Sequence, residues 1–201
     1  MNDKRDFLDA IMTRRSIRDY KEGDIPAGDL EKILQAGIMA PSAGNSQPWR
    51  FHVIKGKIKK RFLEVLRDTK TIPPQWHQVV LKGIETVPIA LAVENPISIK
   101  KDDAPSPNVF NVFGEDKLNV AFLGSLLGTA ASIQNMLLVA HSLGYGSVWM
   151  SFPPILEAAK RVVEISGVMV AVLPIGHPAD HQTEYVDRSR KSVDQITIFH
   201  D

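Results

Sequence analysis

Apolar residues recur at helical spacing near the start of the chain, where Phe7, Leu8, Ile11 and Met12 predict a helix over 5–13. A second helix begins at Pro26, carries Leu30, Ile33, Leu34 and Ile38 on one stripe, and stops at Pro41. WRFHVI (49–54) reads as a strand. After a KGK turn, Ile58, Phe62, Leu63 and Leu66 mark an amphipathic helix on which Lys59 reads as an ordinary exposed position. VPIALAVE (87–94) and VMVAVLPIG (168–176) are nearly unbroken apolar runs, the pattern of strands covered on both faces. YGSVWM (145–150) and VDQITIF (193–199) read as further strands, and 98–116, rich in Pro, Asn, Asp and Lys, as a mobile loop.

From Leu118 to Leu143 there is no charged side chain, and that length could cross a bilayer. Asn119, Gln134, Asn135 and His141 interrupt it, and no Lys/Arg excess flanks one side, so a buried helix is the expectation and a membrane span is not. Ala121, Ser125, Gly128, Ser132 and Asn135 are spaced by four, three, four and three residues. They form one stripe of small residues against which another helix backbone can pack closely.

With 201 residues, 44% hydrophobic and 23% charged, the chain is expected to fold as a single domain, 1–201. A formal charge of +1 gives no reason to expect nucleic acid. The absence of cysteine excludes disulfides, thiolate nucleophiles and cysteine-held metals. MNDKRDFLDA lacks the apolar stretch of a signal peptide, so a cytoplasmic protein is expected.

Dinucleotide, phosphate-loop, zinc-helix and nucleophile-elbow motifs are absent. His177 and His181 have metal-pair spacing, but Pro178 intervenes, and GHPADH reads as a turn after a strand with no third ligand nearby. What remains is charge. RRSIR places Arg14, Arg15, Ser16 and Arg18 just after the first helix, enough donors to neutralise a dianion through forked hydrogen bonds. On its own it reads rather as a solvated basic face partnered by Asp19 and Glu22. Arg188 and Arg190 form a second small cluster; the two are consistent with one phosphate held between them, although spacing does not bring them together. APSAGNSQPW (40–49) is the other unusual stretch, small and polar between two prolines.

RRSIR, APSAGNSQPW, LGYGSVWM, LPIGHP and RSRK, in that order from about residue 7 to the C-terminus, resemble the FMN-dependent nitroreductase family. The resemblance implies an α+β fold, an α/β/α sandwich around a central, mainly antiparallel sheet. It also implies a homodimer with FMN at the interface and a terminal strand exchanged between subunits. Carried over, Arg14, Arg15, Ser16 and Arg18 would hold the ribityl chain and phosphate, with Arg188 and Arg190 closing on the phosphate. Pro41, Ser42, Ala43, Asn45 and Gln47 would reach the flavin bound mainly by the other subunit. Trp149, Met150 and Ser151 would run along the isoalloxazine, a backbone N–H near N5, and Lys82 would fall by the pyrimidine edge. Ser151 and Phe152 stand where many relatives have Glu or Gly.

The resemblance further implies NADH or NADPH as reductant and a small electron-poor acceptor such as a nitroaromatic or quinone. No catalytic side chain and no metal are expected, because the cofactor carries the chemistry. Two other readings stay open: a different flavin reaction on the same scaffold (reductive dehalogenation, enone reduction or flavin fragmentation), and a flavin-binding protein without turnover.

Overall fold

The computed structural model describes residues 6–69, 72, 74–96, 120–182 and 189–200. The two unbroken apolar runs become β3 (Ile89–Asn95) and β5 (Val168–Pro178), paired antiparallel at the centre of a five-stranded sheet. β2 (Arg50–Ile54) flanks β3, while β1 (Tyr20–Lys21) and β4 (Gly146–Ser147) pair with the other side of β5. Every named pairing is antiparallel.

Successive residues of a strand face opposite sides, and β3 divides between two cores accordingly. Ala90 and Ala92 pack with Phe62, Leu63 and Leu66 of α3 (Gly56–Arg67), Val80 and Ile84 of α4 (Pro74–Thr86), and Ile155 of α6 (Pro153–Lys160). Ile89, Leu91 and Val93 pack with Ile33 of α2 (Ala27–Ile38) and with Ile133, Met136, Leu137 and Ala140 of α5 (Val120–Ser142). The result is the expected α/β/α sandwich. Burying one such side chain contributes about 1.5–3 kcal/mol, which is why the sheet centre is fully apolar. α1 (Phe7–Thr13) lies against α5, Thr13 Oγ1 sitting 2.9 Å from His141 Nε2.

α5 is long and apolar enough to cross a membrane, but it uses that character against the sheet and α2. Its seam of small residues is met from within the same chain at Gly128 and Asn135. Asn135 Nδ2 donates to Ala36 O of α2 at 3.1 Å, and a Cβ on Gly128 would meet Ser42 Cβ at 3.2 Å and Pro41 O at 3.4 Å.

Some expectations need correction. VDQITIF is not a strand within the chain: Val193–Ile196 is a short helix, α7, begun by a capping box in which Ser192 and Gln195 satisfy each other's backbone N–H. Thr197 then returns to extended backbone, and Ile198 and Phe199 are exposed. YGSVWM pairs only at Gly146–Ser147 and, by an isolated bridge, at Met150. GHPADH is not wholly a turn, since His177 and Pro178 are paired with β1. The 98–116 segment lies outside the described residues.

Among the described residues one carboxylate is wholly buried. Glu94, at a bulge in β3, accepts from Ser166 N (2.7 Å), Ser166 Oγ (3.0 Å), Gly167 N (2.8 Å) and His52 Nε2 (2.9 Å). Burial alone would push the Glu94 carboxyl up; the hydrogen bonds from His52, Ser166 and Gly167 outweigh it and hold the group below the usual carboxylate range.

Candidate functional site

α1 ends at Thr13, where the Arg14 N–H caps Ala10 O at 3.1 Å. The chain then runs extended beside β4: Ser16 bridges Ser147, and Ile17 N donates to Ser147 O at 3.0 Å. Ile17 is buried with Tyr20 and Val87, which anchors this stretch and fixes its direction. Ser16 remains exposed, and Arg14, Arg15 and Arg18 are half-buried.

The arginines divide their work. Arg15 Nη1 donates to Met12 O (2.9 Å) and Arg14 O (2.8 Å), closing the end of α1. Arg14's guanidinium is held below its ordinary range by burial first, then by the positive charges of Arg15 and Arg190. No acid acts on it among these causes. Arg190 from the C-terminal segment is therefore near enough to Arg14 to be felt, the convergence that spacing alone leaves open. Arg188 lies outside the described residues.

Arg18 opens into a cavity of about 440 Å³, together with Trp149, Met150, Ser151 and apolar Val79, Val80 and Phe152. The 149–151 segment is fixed at its middle, where Met150 N donates to Val172 O (3.1 Å) and Met150 O accepts from Val172 N (2.8 Å). Among the described residues, Ser147 Oγ and Trp149 Nε1 are buried without a hydrogen-bond partner, and the Trp149 side chain packs with the core on the α5 side of the sheet. Lys82 sits elsewhere, exposed on α4; its Nζ donates to Asp19 Oδ2 at 2.7 Å, and His181 Nε2 lies 3.2 Å from the same carboxylate. Among the described residues no group of three or more His, Asp or Glu is arranged to hold a metal.

The loop from Pro41 to Pro48 folds over α5. Asn45 N donates to Ser42 O (3.0 Å), Ser46 N to Ala43 O (3.1 Å) and Gln47 N to Ser42 Oγ (3.0 Å). Ala43, Asn45 and Gln47 are exposed, and no residue of 41–47 lines the cavity at Arg18. Within one chain, then, the loop and the cavity do not meet.

The sequence of residues 11–177 matches the model of the nitroreductase family. A protein of Archaeoglobus fulgidus, provisionally named an NADH dehydrogenase/NAD(P)H nitroreductase, is 31% identical over 195 residues, covering 94% of this chain and 95% of its own. The 5,6-dimethylbenzimidazole synthase of Rhodospirillum rubrum is 26% identical over 194 residues, covering 88% and 84%. A provisionally named nitroreductase of Desulfovibrio desulfuricans, solved in complex with FMN, superposes with a TM-score of 0.66 at 24% identity over 98% of each chain. The fold, the order of its motifs and these matches agree: the chain belongs to the nitroreductase family.

Proposed function

We propose that the protein is a cytosolic, homodimeric FMN-dependent oxidoreductase that passes reducing equivalents from NADH or NADPH to a small electron-poor acceptor. The observation that carries this reading is the approach of Arg190 to Arg14, close enough that its positive charge acts on the Arg14 guanidinium together with that of Arg15. Arg14 is half-buried and Arg190 exposed; like charges brought together in this way suit an anion site, and one terminal phosphate matches the donor set.

The residues fit FMN in other respects. The cavity beside Arg18 is apolar and of ligand size, with Arg18 and Ser151 as polar groups. When bound, the flavin supplies two-electron redox chemistry between a reduced nicotinamide and a nitroaromatic or quinone. The chain binds, orients and excludes water. Arg14, Ser16, Arg188 and Arg190 take the phosphate, and Arg15 holds the end of α1 that presents them. Since the Met150 N–H is taken by Val172, Trp149 or Ser151 would supply the backbone donor expected toward the flavin from this segment.

A second copy completes the site. Phe7, Leu8, Ile11 and Met12 of α1, Met39 after α2 and Leu127 of α5 are exposed, as are Ile196, Ile198 and Phe199. Such residues, rarely grouped on a lone soluble chain, suit a subunit interface. It would bring the 41–47 loop to the neighbouring flavin and let the terminal segment exchange.

An anaerobic matrix of NADH and NADPH against nitroaromatic, quinone and halogenated-phenol acceptors tests the activity. Reduction of bound flavin by either nicotinamide, with turnover on a nitroaromatic or quinone, is expected. Turnover confined to other acceptors selects another flavin reaction, and flavin that neither nicotinamide bleaches leaves a binding protein.

A further inference from the structure

Within the 41–48 loop the Ser42 hydroxyl closes the turn by accepting from Gln47 N at 3.0 Å, but nothing in the loop itself ties it to the body of the protein. Gly44, Asn45 and Gln47 have φ of 59°, 54° and 46°, a left-handed backbone unfavourable for residues other than glycine. Residues 43–47 are exposed, so no core side chain of theirs pins the turn.

The pin lies underneath. Pro48 is buried, and its carbonyl accepts from Thr129 Oγ1 of α5 at 2.7 Å. The same hydroxyl also lies 3.0 Å from Ser125 O, but it has one proton, and the shorter contact is the one to Pro48. Its oxygen receives Asn95 Nδ2 at 3.3 Å, and that amide also donates to Ser125 Oγ at 3.0 Å. Ser125 Oγ in turn donates to Phe122 O at 2.7 Å. Asn95 and Thr129 are 0% exposed and Ser125 is 2% exposed, so the network is dry and directional. Asn95 ends β3, the most buried strand of the sheet, and the network links that fixed point to the loop.

We propose that Thr129, oriented by Asn95, is a positioning residue for the cofactor: its hydroxyl fixes Pro48 and thereby presents Asn45 and Gln47 to the flavin of the neighbouring subunit. The inference rests on the FMN reading above. Valine has threonine's shape, so Thr129→Val removes the hydroxyl with little change in packing. It leaves the Pro48 carbonyl buried without its donor, and the loop can relieve this by turning to water.

The experiment compares Thr129→Val, Thr129→Ser and Ile133→Val in the full-length protein, by hydrogen exchange and by FMN titration. Thr129→Val should speed exchange at Asn45, Ser46, Gln47 and Trp49 and raise the FMN Kd about tenfold, the scale of one lost hydrogen bond. Thr129→Ser, which keeps the hydroxyl, should restore both. Ile133→Val, a core change one turn away, should leave both at wild-type values. Wild-type loop exchange and affinity in Thr129→Val, or equal losses of affinity in Thr129→Val and Ile133→Val, would overturn the proposal. Should Thr129→Val not fold, Thr129→Ala, which leaves room for a water, is read by the same criteria. The exchange measurement needs no flavin: if wild type bound no FMN, the functional reading would fall, while exchange would still decide whether Thr129 fixes the loop.

Discussion

Replacing Arg14 by Gln should move two quantities in opposite directions. Burial and the charges of Arg15 and Arg190 act against the Arg14 guanidinium, so the flavin-free cluster repels itself. Removing one charge relieves that repulsion. Partly exposed charge pairs are worth roughly 0.2–1 kcal/mol, so the flavin-free protein should gain about 0.5 kcal/mol at low salt. The gain should fade at 1 M salt, where the Debye length falls to about 3 Å. The same change removes a charge-assisted hydrogen bond to the phosphate, about 1.5–3 kcal/mol or roughly 10- to 150-fold in Kd. Gln keeps part of the aliphatic stem, which limits the loss of packing. Urea denaturation of flavin-free protein at two salt concentrations measures the first effect, and flavin-fluorescence titration the second. Lys60→Gln, on the exposed face of α3, is the control. A variant that is less stable when flavin-free yet binds FMN like wild type would refute the reasoning and return RRSIR to a solvated face.

Glu94→Gln should cost about 1–3 kcal/mol at pH 7, because a neutral amide replaces a carboxylate that accepts four close hydrogen bonds. The Glu94 carboxyl is held low in the fold, so its stabilisation is present above the unfolded value of about 4.3 and lost as pH falls through the lower folded value. The gap between wild type and variant in urea midpoint should therefore narrow toward pH 3, and a constant gap would contradict the assignment. Gly128→Leu should cost about 1–3 kcal/mol and weaken FMN binding, since its side chain meets Ser42 and Pro41; unchanged denaturation and affinity would show that the loop does not rest there. Deleting 193–201 should raise the monomer fraction in sedimentation velocity and lower bound FMN in parallel, and a stable, fully loaded dimer would show that the terminal segment has no part in the interface.

The sheet centre was legible because unbroken apolar runs bounded by turns leave few alternatives to a doubly covered strand. α4 and α6 were not read: α4 mixes polar and β-branched residues around Gly83, and α6 spans only eight residues, although each has a proline at its start as α2 does. The Ser192–Gln195 capping box was visible in SVDQ but hidden by the apolar alternation that follows it. Lys59 shows how little sequence says about long-range contacts. It reads as an exposed helix position, yet its Nζ donates to Glu85 O and Val87 O and closes the end of α4. The small-residue seam was legible as a site of close approach, but not its occupants, because α2 and the 41–48 loop are distant in sequence. The resemblance pointed to the arginines, whereas the approach of Arg190 to Arg14 required the fold. Thr129 and Asn95 carry no sequence signal at all; only burial and distance mark them.

The central claim is a phosphate held by converging arginines at a flavin site, and it is tested most directly by titrating flavin-free protein with FMN and with riboflavin, which differ only in the phosphate. Two or more charge-assisted hydrogen bonds at about 1.5–3 kcal/mol each imply that FMN binds at least about 100-fold more tightly, with the difference shrinking as salt rises. Equal affinities for the two flavins, or binding of neither, would contradict the account.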